Sequence, residues 1–64
     1  MKVNGEICTN EPKMTVQSLL ERRGNDPQRV AVERNGQIVP RARFSEEILC
    51  EDDVIEIVQF VGGG

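Results

Sequence analysis

The chain's 64 residues suffice for one small core and leave no room for a second. With 38% hydrophobic and 30% charged residues it has the composition of a folding, soluble domain, and a net charge of -3 without a basic run or aromatic platform excludes a nucleic-acid role and suits a basic protein partner. No stretch approaches the roughly 20 apolar residues of a membrane span, and a strand pattern stands where a signal peptide would, so a cytoplasmic protein is expected.

Met1-Lys2-Val3 alternates apolar and polar, and Asn4-Gly5 then supplies the positive φ angles of a tight type I′ turn before Glu6-Ile7-Cys8-Thr9. A strict two-residue loop sets Val3 opposite Glu6, a poor core pair, so a slightly longer loop also fits. Pro12 breaks the strand. Thr15 then reads as a helix N-cap, with Met14 and Leu19 at the two positions of a hydrophobic staple and Val16, Leu19 and Leu20 on one helical face. Arg22 and Arg23 suit the C-terminal dipole, and Gly24 suits the left-handed residue that ends the helix.

Beyond Asn25-Asp26-Pro27, residues 29–34 alternate around Val30 and Val32, and Asn35-Gly36 marks a second hairpin leading to Gln37-Ile38-Val39. A two-residue loop sets Val32 opposite Val39, so register and hydrophobic pattern agree. Pro40 ends the strand. Between residues 41 and 53 the pattern is irregular, with Phe44, Ile48 and Leu49 as anchors of a loop or short helical turn and Glu51-Asp52-Asp53 as a polar turn. Residues 54–61 form a last strand that is apolar on both faces, as an interior strand is.

Strand, strand, helix and three more strands make an α+β architecture in which one helix covers one face of one sheet. Val16, Leu19, Leu20, Val30, Val32, Val39, Ile55 and Ile57 are the expected core. By alternation Val58 and Phe60 lie on one face of the last strand and Ile55, Ile57 and Val61 on the other, so Val58 and Phe60 are the candidate partner contact.

Conventional catalytic groups are missing: the chain has no His, and Cys8 and Cys50 form no CxxC pair and are expected to be small buried residues. Glu46-Glu47 and Asp52-Asp53 read as solvated carboxylates, so no metal site and no enzyme activity in isolation are expected. The unusual feature is Gly62-Gly63-Gly64 after a β-branched, aromatic strand. Without Cβ atoms such a tail threads a narrow channel, and three extended residues reach roughly 10 Å. Residues 1–61 are therefore expected to be the domain and residues 62–64 a flexible tail.

Asn4-Gly5-Glu6, Thr15-Val16 with Leu19-Leu20, Val30-Ala31-Val32-Glu33 with Asn35-Gly36, Ile38-Val39-Pro40-Arg41, Ile55-Glu56-Ile57-Val58 and Val61-Gly62-Gly63-Gly64 resemble, in order and over essentially the whole chain, the ThiS family of sulfur carriers. Phe44 stands where that family often has Trp, and Asp52-Asp53 where it often has Gly-Asp. The resemblance implies a ubiquitin-like β-grasp fold, with one helix packed on a mixed sheet of about five strands. It implies that Gly64 is the covalent site, adenylated and then thiocarboxylated, with Gly62 and Gly63 entering partner active sites. The carrier itself would bind no cofactor. A ThiF-type adenylyltransferase would use ATP and Mg²⁺, a cysteine-derived persulfide would donate sulfur, and a ThiG-type thiazole synthase would receive it for thiamine biosynthesis. Within the same fold, supply of molybdopterin, tRNA thiolation or another pathway is the alternative, and a non-covalent ubiquitin-like interaction module is another.

Overall fold

The computed structural model describes residues 1–9 and 11–60. Strands β1 (Lys2–Val3) and β2 (Glu6–Ile7) precede helix α1 (Val16–Arg23), and β3 (Val30–Arg34), β4 (Gln37–Ile38) and β5 (Val54–Gln59) follow it. They form one sheet in the order β2-β1-β5-β3-β4. β5 is central, parallel to β1 and antiparallel to β3, as expected of an interior strand, but only one of its faces is covered, Val54 and Val58 on the other being exposed. The expected architecture of one helix on a mixed five-stranded sheet is what forms.

Both Asn-Gly pairs adopt positive φ at both residues, 51° and 84° at Asn4 and Gly5 and 52° and 84° at Asn35 and Gly36, as two-residue type I′ hairpins require. The second hairpin has the expected register, and the Val39 N–H donates to the Val32 carbonyl at 2.8 Å. In the first the loop is the strict two-residue one, with Val3 opposite Glu6. Val3 is buried all the same, while Glu6 is exposed and Ile7 is 83% exposed. The Asn4 side chain explains the tight loop. It accepts from the Ile57 N–H at 2.7 Å and donates to the Ile57 carbonyl at 3.3 Å, prolonging the ladder between β1 and β5 past the end of β1. A longer loop would move that amide out of reach.

Thr15 caps α1: its hydroxyl accepts from the Ser18 N–H at 3.1 Å, and the Ser18 hydroxyl accepts from the Thr15 N–H at 2.8 Å, a reciprocal box closed by a serine. The remaining free donors of the first turn meet the irregular segment, Val16 N–H bonding the Glu47 carbonyl and Gln17 N–H the Phe44 carbonyl. Gly24, at φ 77°, ends the helix. Its N–H donates to the Glu21 carbonyl and that of Asn25 to the Leu20 carbonyl, the paired bonds of a Schellman stop.

All eight expected core residues are buried in one cluster, joined by Val3, Met14, Phe44 and Leu49. Ile48, expected as an anchor, is instead 51% exposed. It pairs with Thr15 by a backbone bridge in an extended stretch, where neighbouring side chains point to opposite sides, so Leu49 takes the inward position. Two further expectations are corrected. Asp53 is buried rather than solvated, and Cys50 is exposed, with Cys8 only half-buried. The expected strand ran to Val61, whereas β5 ends at Gln59; Val61 and the expected tail at residues 62–64 lie outside the described residues.

Candidate functional site at the open face and end of β5

Alternation along β5 sends Ile55 and Ile57 under the helix and turns Val54, Glu56 and Val58 to the open face. Val58, 55% exposed, stands opposite Ala31 on β3. Phe60, 58% exposed, follows the strand, its N–H donating to the Arg29 carbonyl at 2.8 Å. Both candidate contact residues are thus accessible. Gly62, Gly63 and Gly64 lie outside the described residues. Gly64 is four residues beyond Phe60 in the chain, a span of at most about 14 Å.

The open face holds more than those two side chains. Ile38 on β4, 64% exposed, stands opposite Glu33, and Glu33 stands opposite Glu56 across the β3–β5 ladder. These were missed from sequence although the signal was present: the register that sets Val32 opposite Val39 in the core sets Glu33 opposite Ile38 on the other face.

The start of β5 is built differently. The Asp53 carboxylate accepts from the Cys50 N–H at 2.7 Å, from Arg34 Nε at 2.9 Å and from Asn35 Nδ2 at 3.0 Å. Arg34 also donates from Nη1 to Glu47 at 2.9 Å, and Asn35 Oδ1 accepts from the Val54 N–H at 2.9 Å. Burial alone would raise the Asp53 pKa, but the Cys50 N–H, the Asn35 amide and the Arg34 guanidinium together hold it below the ordinary carboxylate value. Burial opposes the charge of Arg34 as well, and Glu47 and Asp53 outweigh it, raising its pKa further. This cluster fastens a turn and offers no reacting group. Among the described residues no set of His, Cys, Asp or Glu is placed to hold a metal ion, and no helix is long and apolar enough to cross a membrane.

One helix seated across a mixed five-stranded sheet, with parallel β1 and β5 at its centre, defines a ubiquitin-like β-grasp protein whose exposed strand end leads into a glycine tail. The ThiS family model matches residues 1–64, and the chain belongs to the ThiS family. It is 50% identical over 65 aligned residues to "Sulfur carrier protein ThiS" of Bacillus subtilis (strain 168), covering 100% of this chain and 98% of that protein. It is 44% identical over 62 residues to "Thiazole synthase" of Paramagnetospirillum magneticum, covering 97% of this chain but spanning only 19% of that relative's length. The crystal structure of a thiamine biosynthesis protein (ThiS) from Geobacter metallireducens superposes with a TM-score of 0.80 at 30% identity, covering 98% of this chain and 96% of that one.

Proposed function

We propose that the chain is a sulfur carrier for thiazole formation in thiamine biosynthesis, with the Gly64 carboxylate as its working group and no catalytic step of its own. The observation that carries this reading is the end-to-end correspondence with the Bacillus subtilis sulfur carrier. A carboxylate is a poor electrophile. A ThiF-type adenylyltransferase, using ATP and Mg²⁺, would join a Gly64 carboxylate oxygen to the α-phosphorus of ATP and expel pyrophosphate. The terminal sulfur of a cysteine-derived persulfide then attacks the acyl carbon, and the bond to AMP breaks. The resulting acyl disulfide is cleaved by a thiol, which is oxidised to a disulfide as the thiocarboxylate leaves. A ThiG-type thiazole synthase is the recipient, a reading supported by the relative in which a segment like this chain forms part of a thiazole synthase.

Gly62 and Gly63 serve this chemistry by lacking side chains that would obstruct a narrow active-site channel. Val58 and Phe60 serve it as contact surface just before the tail. The test is incubation with the adenylyltransferase, ATP, Mg²⁺ and a persulfide donor, followed by mass spectrometry. Replacement of one oxygen by sulfur adds about 16 Da, and localisation to the C-terminal peptide separates this from oxidation of Cys or Met. A chain that forms no acyl adenylate and gains no C-terminal sulfur is not a carrier.

A further inference from the structure

The centre of the open face carries an arrangement that the fold does not need. Glu33 and Glu56 are directly opposed on adjacent antiparallel strands, which sets their Cβ atoms about 5 Å apart, and like charges so placed weaken a sheet. Neither makes an ion pair among the described residues, and Lys2, the cation on the same face of β1, engages neither. Val58 and Ala31 form the next outward pair toward the end of β5, Phe60 follows Val58, and Ile38 stands opposite Glu33; Val58, Phe60 and Ile38 are more than half exposed. The face is a carboxylate pair with apolar groups beside it on β4 and toward Phe60, the last described residue before the glycines that the proposed function hands to an enzyme.

We propose that this face docks on the thiazole synthase through one cationic side chain of that enzyme, an arginine or a lysine, seated between Glu33 and Glu56 while Val58, Phe60 and Ile38 pack against apolar surface around it. The proposal rests on the carrier reading above and extends it from the tail to the sheet. Charge complementarity selects the occupant. A surface with one cation relieves the repulsion between the two carboxylates and gains two charge-assisted contacts, whereas a second copy of this face would oppose four carboxylates. The synthase is preferred over the activating enzyme because a relative holds this domain in one chain with it, an arrangement that keeps the two surfaces at high effective concentration.

The experiment measures binding of the full chain to the purified thiazole synthase of the same organism by calorimetry at several salt concentrations, alongside thermal unfolding of the free carrier. Glu33→Gln, Glu56→Gln and the double variant keep shape and remove charge. The expected result is a Kd raised about tenfold or more in the double variant, with a flatter salt dependence and a Tm equal to or above that of the parent. Binding within twofold of the parent at every salt concentration overturns the proposal. So does an affinity loss matched by a fall in Tm, which assigns the pair to the fold, and so does self-association with unchanged affinity, which assigns it to solubility. Impaired adenylation with intact synthase binding overturns the choice of partner. If the unaltered chain neither binds the synthase nor acquires sulfur, the carrier reading itself fails; if it does both and the glutamine variants match it, only the docking proposal does.

Discussion

The two ends of β5 are opposites. At the start Asp53 is buried and its carboxylate takes three donors, Asn35 bonds both neighbouring residues, and Ile55 is fully covered by the core. At the other end Val58 and Phe60 are more than half exposed and the last described main-chain tie is a single bond to Arg29. A domain this small has little apolar surface to bury. Fastening the strand at one end with a satisfied polar cluster lets the fold hold while Val58 and Phe60 at the other end stay uncovered, which is what the proposed partner contact requires.

The largest expected effect tests the proposed function of the free end. Deleting Gly63 and Gly64 should abolish C-terminal thiocarboxylation by intact-mass assay and leave Tm unchanged, because glycine has no side chain to bury. Retained sulfur transfer would remove the terminal carboxylate from its proposed role. Next, Ile55→Ala should cost about 2–5 kcal/mol in denaturant unfolding, since the residue is fully buried, while Val58→Ala, on the same strand, should stay within about 0.5 kcal/mol. Equal costs would erase the contrast between the ends.

Asp53→Ala should destabilise by about 2 kcal/mol, because Arg34, Asn35 and the Cys50 N–H all lose an acceptor in a largely covered site. The folded pKa of Asp53 is lowered relative to the unfolded value near 3.9, so its stabilisation is fully present above about pH 5 and is lost as pH falls through the lowered folded value. Denaturant titrations should therefore show the difference between parent and Asp53→Asn narrowing below about pH 4. Asn4→Gly keeps the positive φ and removes only the amide that holds Ile57, so about 1 kcal/mol is expected from chemical denaturation. Smallest for the fold is Phe60→Ala, with an unfolding midpoint near the parent's and weaker partner binding. A large fall in midpoint would place Phe60 in the core.

Local chemistry made much of this legible. The Thr15 cap, the Gly24 stop and both Asn-Gly turns depend on backbone rules that act within a few residues, and each formed as the residues indicate. The hydrophobic face of α1 and the inward positions of β3 and β5 follow from the periods of helix and strand. What sequence alone could not resolve was which of two adjacent apolar residues turns inward, as with Ile48 and Leu49, because an irregular segment has no period to count.

Taken by itself, the sequence determined the element order, eight of the twelve core residues, the outward placement of Val58 and Phe60, and the family resemblance borne by an ordered set of motifs along the chain. Tertiary structure alone decided that β5 lies between β1 and β3, that Asn4 ties the first hairpin to it, and that Asp53 is a buried acceptor rather than a solvated turn residue. It also brought Glu33 and Glu56 face to face. The physical reason is range. Capping, turn geometry and amphipathic period are set by neighbours in sequence, whereas the Asn4–Ile57 and Arg34–Asp53 bonds join residues 53 and 19 positions apart, and such partners are known only once the strands are laid side by side.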